Sequence, residues 1–279
     1  MPRNNQRRTS KATSTPEPKQ APASVVASPL DFVTPTEFVD LPSQGKYYAV
    51  GHPLHNQDTV EIRFMTARDE DILTSQTLIK KGMAIEKFMS NILVDKSIDT
   101  SSLLVGDRNA ILVAARITGY GPEYKTAVTC PSCKTRVTHI FDLNERVVHN
   151  GSLTEEATLT GNGTFITQLP LTKVNAELKV LNGADESAIV AAETDNSNTL
   201  ETSLSSQIGR CIVSINGDAS QDLKDQFLEL MPAYDARHIR RVLKSVTPML
   251  DLTQDFKCTN CGLEQRMEVP FTAEFFWPE

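Results

Sequence analysis

No apolar run in this chain approaches the ~20 residues that a bilayer span requires. No apolar stretch follows the arginines and lysines near the amino terminus either, so neither a secretory signal nor a stop-transfer pattern is expected, and the protein is expected to stay in the cytoplasm where it is made. The usual catalytic signatures are missing: there is no G-x-S-x-G elbow, no Walker loop, no H-E-x-x-H and no dinucleotide fingerprint. Gly161-Asn162-Gly163 reads as a turn, and His139, His149 and His238 stand in no visible relation to a nucleophile or a paired carboxylate. His52 and His55 form an HPLH whose bland reading, surface turn residues, outweighs a metal pair. No enzymatic activity is expected. An excess of positive charge is lacking too: 28 Lys and Arg stand against 35 Asp and Glu, a net charge of −7 that disfavours nucleic acid as a partner.

That charge is unevenly spread. Residues 1–30 hold Arg3, Arg7, Arg8, Lys11 and Lys19 against Glu17 alone, a net of +4, which leaves −11 for the remainder. The same stretch is rich in Ser, Thr, Pro, Ala and Gln and cannot bury enough surface to offset the entropy of ordering, so it reads as a disordered basic tail. It is either a solvated tail or an electrostatic anchor on an acidic neighbour. The rest, at 39% hydrophobic and 23% charged residues overall, has the texture of an ordinary globular protein.

From Phe32 an extended arm and a hairpin are expected, with a turn at Pro42, Ser43 and Gly45. Val60, Ile62 and Phe64 alternate as a strand. Thr66 and Asp69 form a capping box for a helix reaching Lys80 or Lys81, with Glu70 and Asp71 favouring its positive end, and Gly82 interrupts it. Met83 to Leu93 carries apolar residues at helical spacing, and a third helix is expected over 107–118, stopped by Gly119. Between Asn144 and Asn198 the pattern is of short strands and turns, Asn182-Gly183 among the turns. Helices follow from about Ser203 and from Ser220; Pro232 ends or kinks the latter, and Asp235 caps a last helix carrying Ile239, Val242, Leu243 and Val246.

The five cysteines include two Cys-x-x-Cys pairs, Cys130 with Cys133 and Cys258 with Cys261. AVTCPSCKTRVTHIFDL and DFKCTNCGLEQRMEVPF align at an offset of 128, each an apolar-polar lead, a Cys-x-x-Cys turn and an alternating strand. Two such knuckles facing each other supply the four thiolates of one structural Zn²⁺ site, a zinc ribbon split by the 124 residues from Lys134 to Lys257. Redox-active pairs and ordinary buried thiols are the alternatives. Loop closure cost grows only logarithmically, so the length of a folded insertion is no obstacle. Four thiolates leave no coordination position open for water, so a zinc held there fastens rather than catalyses. Cys211 has no partner and reads as a small buried hydrophobe.

Two further features remain open. Arg237, Arg240, Arg241 and Lys244 lie along one helix face, either solvated or a contact for an acidic partner. Phe271, Phe275, Phe276 and Trp277 gather near the carboxyl terminus, and Phe275, Phe276 and Trp277 are candidate partner-binding residues; the alternative is core filler closing over the ribbon.

The fold class expected is α+β: a helical region plus a split zinc ribbon with an inserted mixed β/α segment. The divisions are a basic tail (1–30), an extended arm, strand and helical region (31–129), a first zinc knuckle (130–143), an inserted β-rich then helical region (144–257), and a second zinc knuckle with an aromatic tail (258–279). Three stretches together, VEIRFMTARDEDILTSQTLIKKGMAIEKFMSNILVDKSID with LLVGDRNAILVAARITGYG, the knuckle TCPSC, and LTQDFKCTNCGLEQRMEVPFTAEFFWP, resemble the baseplate hub proteins of contractile-tailed, T-even-like bacteriophages. The resemblance implies a structural subunit of a baseplate hub, made in the host cytoplasm, placed in the virion tail and acting through contacts with other baseplate or tail proteins. A hub assembly factor that leaves the virion and a zinc-ribbon nucleic-acid binder are the competing readings.

Overall fold

The alternation around Val60 becomes a two-stranded antiparallel ribbon: β1 (Thr36–Asp40) pairs with β2 (Thr59–Arg63), placing Val39 opposite Val60. The computed structural model describes residues 34–195, 203–270 and 273–276, so the basic tail of residues 1–30 lies outside the described residues. Residues Pro35–Glu279 pack as one compact unit of α+β type. The long connection at residues 41–58 is tied down from within. Buried Asp107 accepts hydrogen bonds from the Ser43 amide at 2.9 Å, the Ser43 hydroxyl at 2.6 Å and the Tyr48 hydroxyl at 2.8 Å.

The expected single helix to Lys80 or Lys81 is two: α1 (Ala67–Thr74) and α2 (Gln76–Lys80), broken at Ser75, which is extended. The Thr74 hydroxyl donates back to the Glu70 and Asp71 carbonyls, a local bond that competes with helix propagation there. Next come α3 (Ala84–Ile92), with Phe88, Met89 and Ile92 buried, and a 3-10 turn at Thr100–Ser102. The third expected helix, α4 (Val105–Tyr120), is longer than its periodicity indicated, and Gly119, read as the stop, lies inside it beneath Met65. Gly121, with φ of 83°, ends it instead.

Two hairpin strands, β3 (Glu123–Thr129) and β4 (Arg136–Asp142), lead into the inserted segment through β5 (Val147–His149). The insertion is built on a four-stranded antiparallel sheet in the order β6 (Ala157–Leu159), β7 (Thr164–Gln168), β8 (Asn175–Lys179) and β9 (Ile212–Ile215). Between β8 and β9 lie α5 (Gly183–Asp195) and α6 (Ser203–Cys211). The strand pattern expected as far as Asn198 therefore stops at Lys179. Asn182-Gly183, read as a hairpin turn, opens a helix: the Asn182 side-chain oxygen accepts from the Asp185 amide at 2.9 Å, as an N-cap does. Cys211 is buried as expected, and burial pushes its thiol up to about 12.

After β9 come α7 (Gln221–Leu230) and α8 (Ala233–Val246). Asp235 does not cap its own helix, because Pro232 occupies the N-cap position. The carboxylate reaches across instead, accepting from the Leu171 amide at 2.9 Å and from the Thr172 amide and hydroxyl at 3.0 and 2.7 Å. The chain returns through β10 (Met249–Asp251), which pairs antiparallel with β5 and closes the neck of the insertion, then enters β11 (Thr253–Lys257) and β12 (Glu264–Glu268). A 3-10 turn, Ala273–Phe276, follows. Gly106 of α4 crosses the returning chain so closely that a Cβ there would lie 2.2 Å from the Pro248 carbonyl oxygen.

Candidate metal centre

The two Cys-x-x-Cys pairs sit at the tips of the hairpins β3–β4 and β11–β12, whose registers repeat at the offset seen in the sequence. Thr129 is opposite Arg136 in one and Lys257 opposite Glu264 in the other. Each tip is a tight turn of one design. The Cys130 amide donates to the Thr135 carbonyl at 3.0 Å and the Lys134 amide to the Cys130 carbonyl at 2.9 Å. In the second tip, the Cys258 amide donates to Leu263 and the Gly262 amide to Cys258, both at 2.9 Å. The residue after the second cysteine must turn left-handed: Gly262 does so at φ 73° without a Cβ penalty, and Lys134 does so at φ 59° against one.

The turns aim four sulfurs at one point. All lie within 4.8 Å of one another; Cys130 Sγ is 3.7 Å from Cys261 Sγ, and Cys133 Sγ is 3.8 Å from Cys258 Sγ. A tetrahedron of thiolates around zinc at ~2.3 Å has edges of about 3.8 Å, so the donor set and its spacing fit the ion. The pairs also cross between hairpins rather than within them. All four are free cysteines, too far apart for a disulfide of ~2.05 Å.

Donors surround the sulfurs. The Thr135 hydroxyl, then Asn260, then the Thr135 amide hold the Cys133 thiol down to about 5. The Cys261 amide, with the Asn260 amide, lowers Cys258. At Cys261 the Leu263 amide pulls down, but burial and the neighbouring sulfurs of Cys133, Cys258 and Cys130 outweigh it and push the thiol up to about 11. Sulfurs this close do not all ionise without a cation, because like charges raise one another's proton affinity; a divalent ion removes that conflict. Asn260 also crosses from one tip to the other, its amide 3.1 Å from the Thr135 hydroxyl and 3.6 Å from Cys133 Sγ.

Behind the sulfurs the hairpins share an apolar floor of Val128, Val137, Phe141 and Phe256, with the His139 ring edge-on to both phenyl groups. At its far end Gln254 bridges the hairpins: its side-chain oxygen accepts from the Asp142 amide at 3.0 Å and its nitrogen donates to the Asp142 carbonyl at 2.6 Å. Neither Asn260 nor Gln254 was singled out from the sequence. Gln254 could have been found as the polar member of the inward set that includes Leu252 and Phe256.

The other candidates are placed as follows. Phe275 and Phe276 are buried in this chain, 1% and 4% exposed, which is the core-filler arrangement. Phe275 lies edge-on to Tyr124, and Phe276 edge-on to Phe88. The Phe275 carbonyl accepts from Arg116 Nε at 2.7 Å. Arg116, 1% exposed, also donates to the carbonyls of Gly121 and Glu123 and lies over the Tyr120 ring. Trp277 lies outside the described residues. His52 and His55 do not converge on a metal: His52 Nε2 is 2.8 Å from the Ser102 hydroxyl, and His55 Nδ1 is 2.7 Å from the Tyr48 carbonyl. No helix among the described residues is long and apolar enough to cross a membrane.

A family model described as T4 bacteriophage base plate protein matches residues 34–277. Neither the curated proteins nor the solved structures give a match.

Proposed function

The chain belongs to the T4 bacteriophage base plate protein family, and from that premise we propose that it is a zinc-stabilised subunit of the baseplate hub, acting through contacts with other tail proteins and not through catalysis. The membership supplies a structural role in a phage baseplate; the hub placement follows the resemblance of the three sequence stretches described above. Synthesis in the host cytoplasm and delivery to the virion tail complete the reading.

The four converging sulfurs are the observation that carries the zinc assignment. Held by Cys130, Cys133, Cys258 and Cys261, the ion supplies a closed tetrahedral clamp with no position left for substrate. The clamp fastens the two hairpins on either side of the insertion, the place where packing between distant stretches of chain needs a tie. Asn260 and Gln254 brace the same junction from the two ends of the ribbon.

Mass spectrometry of purified tails, together with metal analysis of the isolated reduced chain, tests the proposal. The expected result is a fixed number of copies per tail and one zinc per chain. Detection in lysate but never in finished tails would replace the hub subunit with an assembly factor. Absence of bound metal would remove the clamp.

A further inference from the structure

One helix of this acidic protein presents a basic face that a carboxylate meets at one position among the described residues. Arg237, Arg240, Arg241 and Lys244 recur along α8 at spacings of three and four and are all exposed, whereas Ile239, Val242 and Val246 on the opposite side are buried. The stripe extends ~10 Å along the helix. Among the described residues, Arg241 meets a carboxylate, Glu156 at 3.0 Å, but Arg237, Arg240 and Lys244 have none within bridging distance. Four like charges on two turns repel one another, and the fold relieves that repulsion at one of them. The net charge of −7 makes such a concentration a local exception.

The basic face is continuous with apolar surface. Tyr234, on the first turn of α8, is 64% exposed, and Leu171 is 60% exposed. The bonds from the Leu171 and Thr172 amides to buried Asp235 hold the Leu171 loop against that turn, so the two apolar side chains are presented from a fixed backbone. Beside them opens a cavity of about 690 Å³ whose lining includes Pro170, Tyr234, Arg237 and Arg241 together with Glu155 and Glu156, the latter already engaged by Arg241. Tyrosine and arginine around a recess are the residue types that dominate binding energy at protein interfaces.

We propose that the exposed face of α8 docks an acidic protein segment of another tail component, whose carboxylates meet Arg237, Arg240 and Lys244 while an apolar side chain seats beside Tyr234. The inference rests on the reading of the chain as a baseplate subunit. Charge complementarity selects the partner. The exposed Tyr234 and Leu171 beside the cations favour a protein segment over a nucleic acid, and a second copy is an outcome of the test.

Two measurements on the full chain test it. The first titrates fluorescently labelled probes: a Glu-rich helical peptide about 20 residues long with a central Leu-Phe pair, the same peptide with Lys for Glu, and a short DNA duplex. Binding of the acidic peptide alone is expected, weakening with added salt and falling roughly tenfold or more in the Arg237→Glu, Arg240→Glu, Lys244→Glu triple variant. Equal binding by the triple variant, no binding by the wild type, or preference for the duplex overturns the proposal. So does self-association of the wild type that the triple variant abolishes. Metal content and circular dichroism verify the fold, and Arg240→Ala replaces the triple variant if it fails to fold. The second measurement complements a phage lacking the gene. Wild-type chain absent from tails counts against the baseplate reading itself. Wild type present with the triple variant equally present counts against the docking surface alone, and depletion of the triple variant supports it.

Discussion

Asp69 is fully enclosed, yet it gathers both guanidinium nitrogens of Arg63 at 2.6 and 2.8 Å, the Thr66 amide at 2.9 Å and the Asn91 amide at 2.6 Å. Burial alone would raise its carboxyl; Arg63 first, then Thr66 and Asn91, override that and hold it at about 2, below the ordinary 3.8. A folded-state value below the unfolded one gives stability that is complete above about pH 4 and is lost as pH falls toward about 2. Urea unfolding from neutral to acid pH is expected to show a wild-type advantage over Asp69→Asn that shrinks across that window. Arg116 is the second test at this scale. Replacing it with Met removes the guanidinium that donates to the carbonyls of Phe275, Gly121 and Glu123, at a cost of about 3 kcal/mol in denaturant unfolding. At the metal centre, Cys258→Ser is expected to abolish stoichiometric zinc binding and to destabilise by at least about 4 kcal/mol, read by metal analysis and thermal melting.

Elements meet at distances that particular residues set. α4 approaches the strand returning from the insertion so closely that Gly106→Ala drives a methyl group into the Pro248 carbonyl. Both are backbone-anchored, so neither can yield cheaply, and a loss of about 2 kcal/mol is expected in urea unfolding. The two knuckles can be compared at one shared position, the left-handed one, held by Gly262 in one turn and by Lys134 in the other. Gly262→Ala is expected to cost about 1 kcal/mol, and Lys134→Gly to cost nothing or stabilise slightly, both measured with metal bound.

For the whole molecule, the proposed clamp would tie residues more than a hundred positions apart, so its removal should be felt unevenly. Treating the purified chain with a strong chelator is expected to expose amides of β3, β4, β11 and β12 to fast hydrogen exchange, while the β6 to β9 sheet, with its own buried Phe165, Ala176 and Leu178, keeps its protection. Uniform loss of protection, or none, would show that the ribbon is not a separable cooperative unit. The neck formed by β5 and β10 and the Gln254 bridge lie between the two regions and should show intermediate protection.

Much of this organisation was legible in local pattern. The capping residues Thr66 and Asp69, the alternation of β2, the amphipathic α3 and α8, and the repeat of two Cys-x-x-Cys turns at an offset of 128 each express a short-range constraint, a period or a turn chemistry, that a few neighbouring residues carry. The misread stretches are those where one residue serves two geometries. Asn182-Gly183 suits a hairpin as well as a helix start, and Asp235 suits its own helix end as well as the amides of a loop far away in sequence. The sequence by itself determined the strongly periodic elements and the donor set of the candidate metal centre, because spacing and residue type are local properties. Only the tertiary structure decided that the four sulfurs meet at the edge lengths of a tetrahedron, that Phe275 and Phe276 turn inward over Arg116, and that the basic face of α8 stays outside. Those outcomes depend on burial and on contacts between segments remote in the chain, which no local pattern encodes.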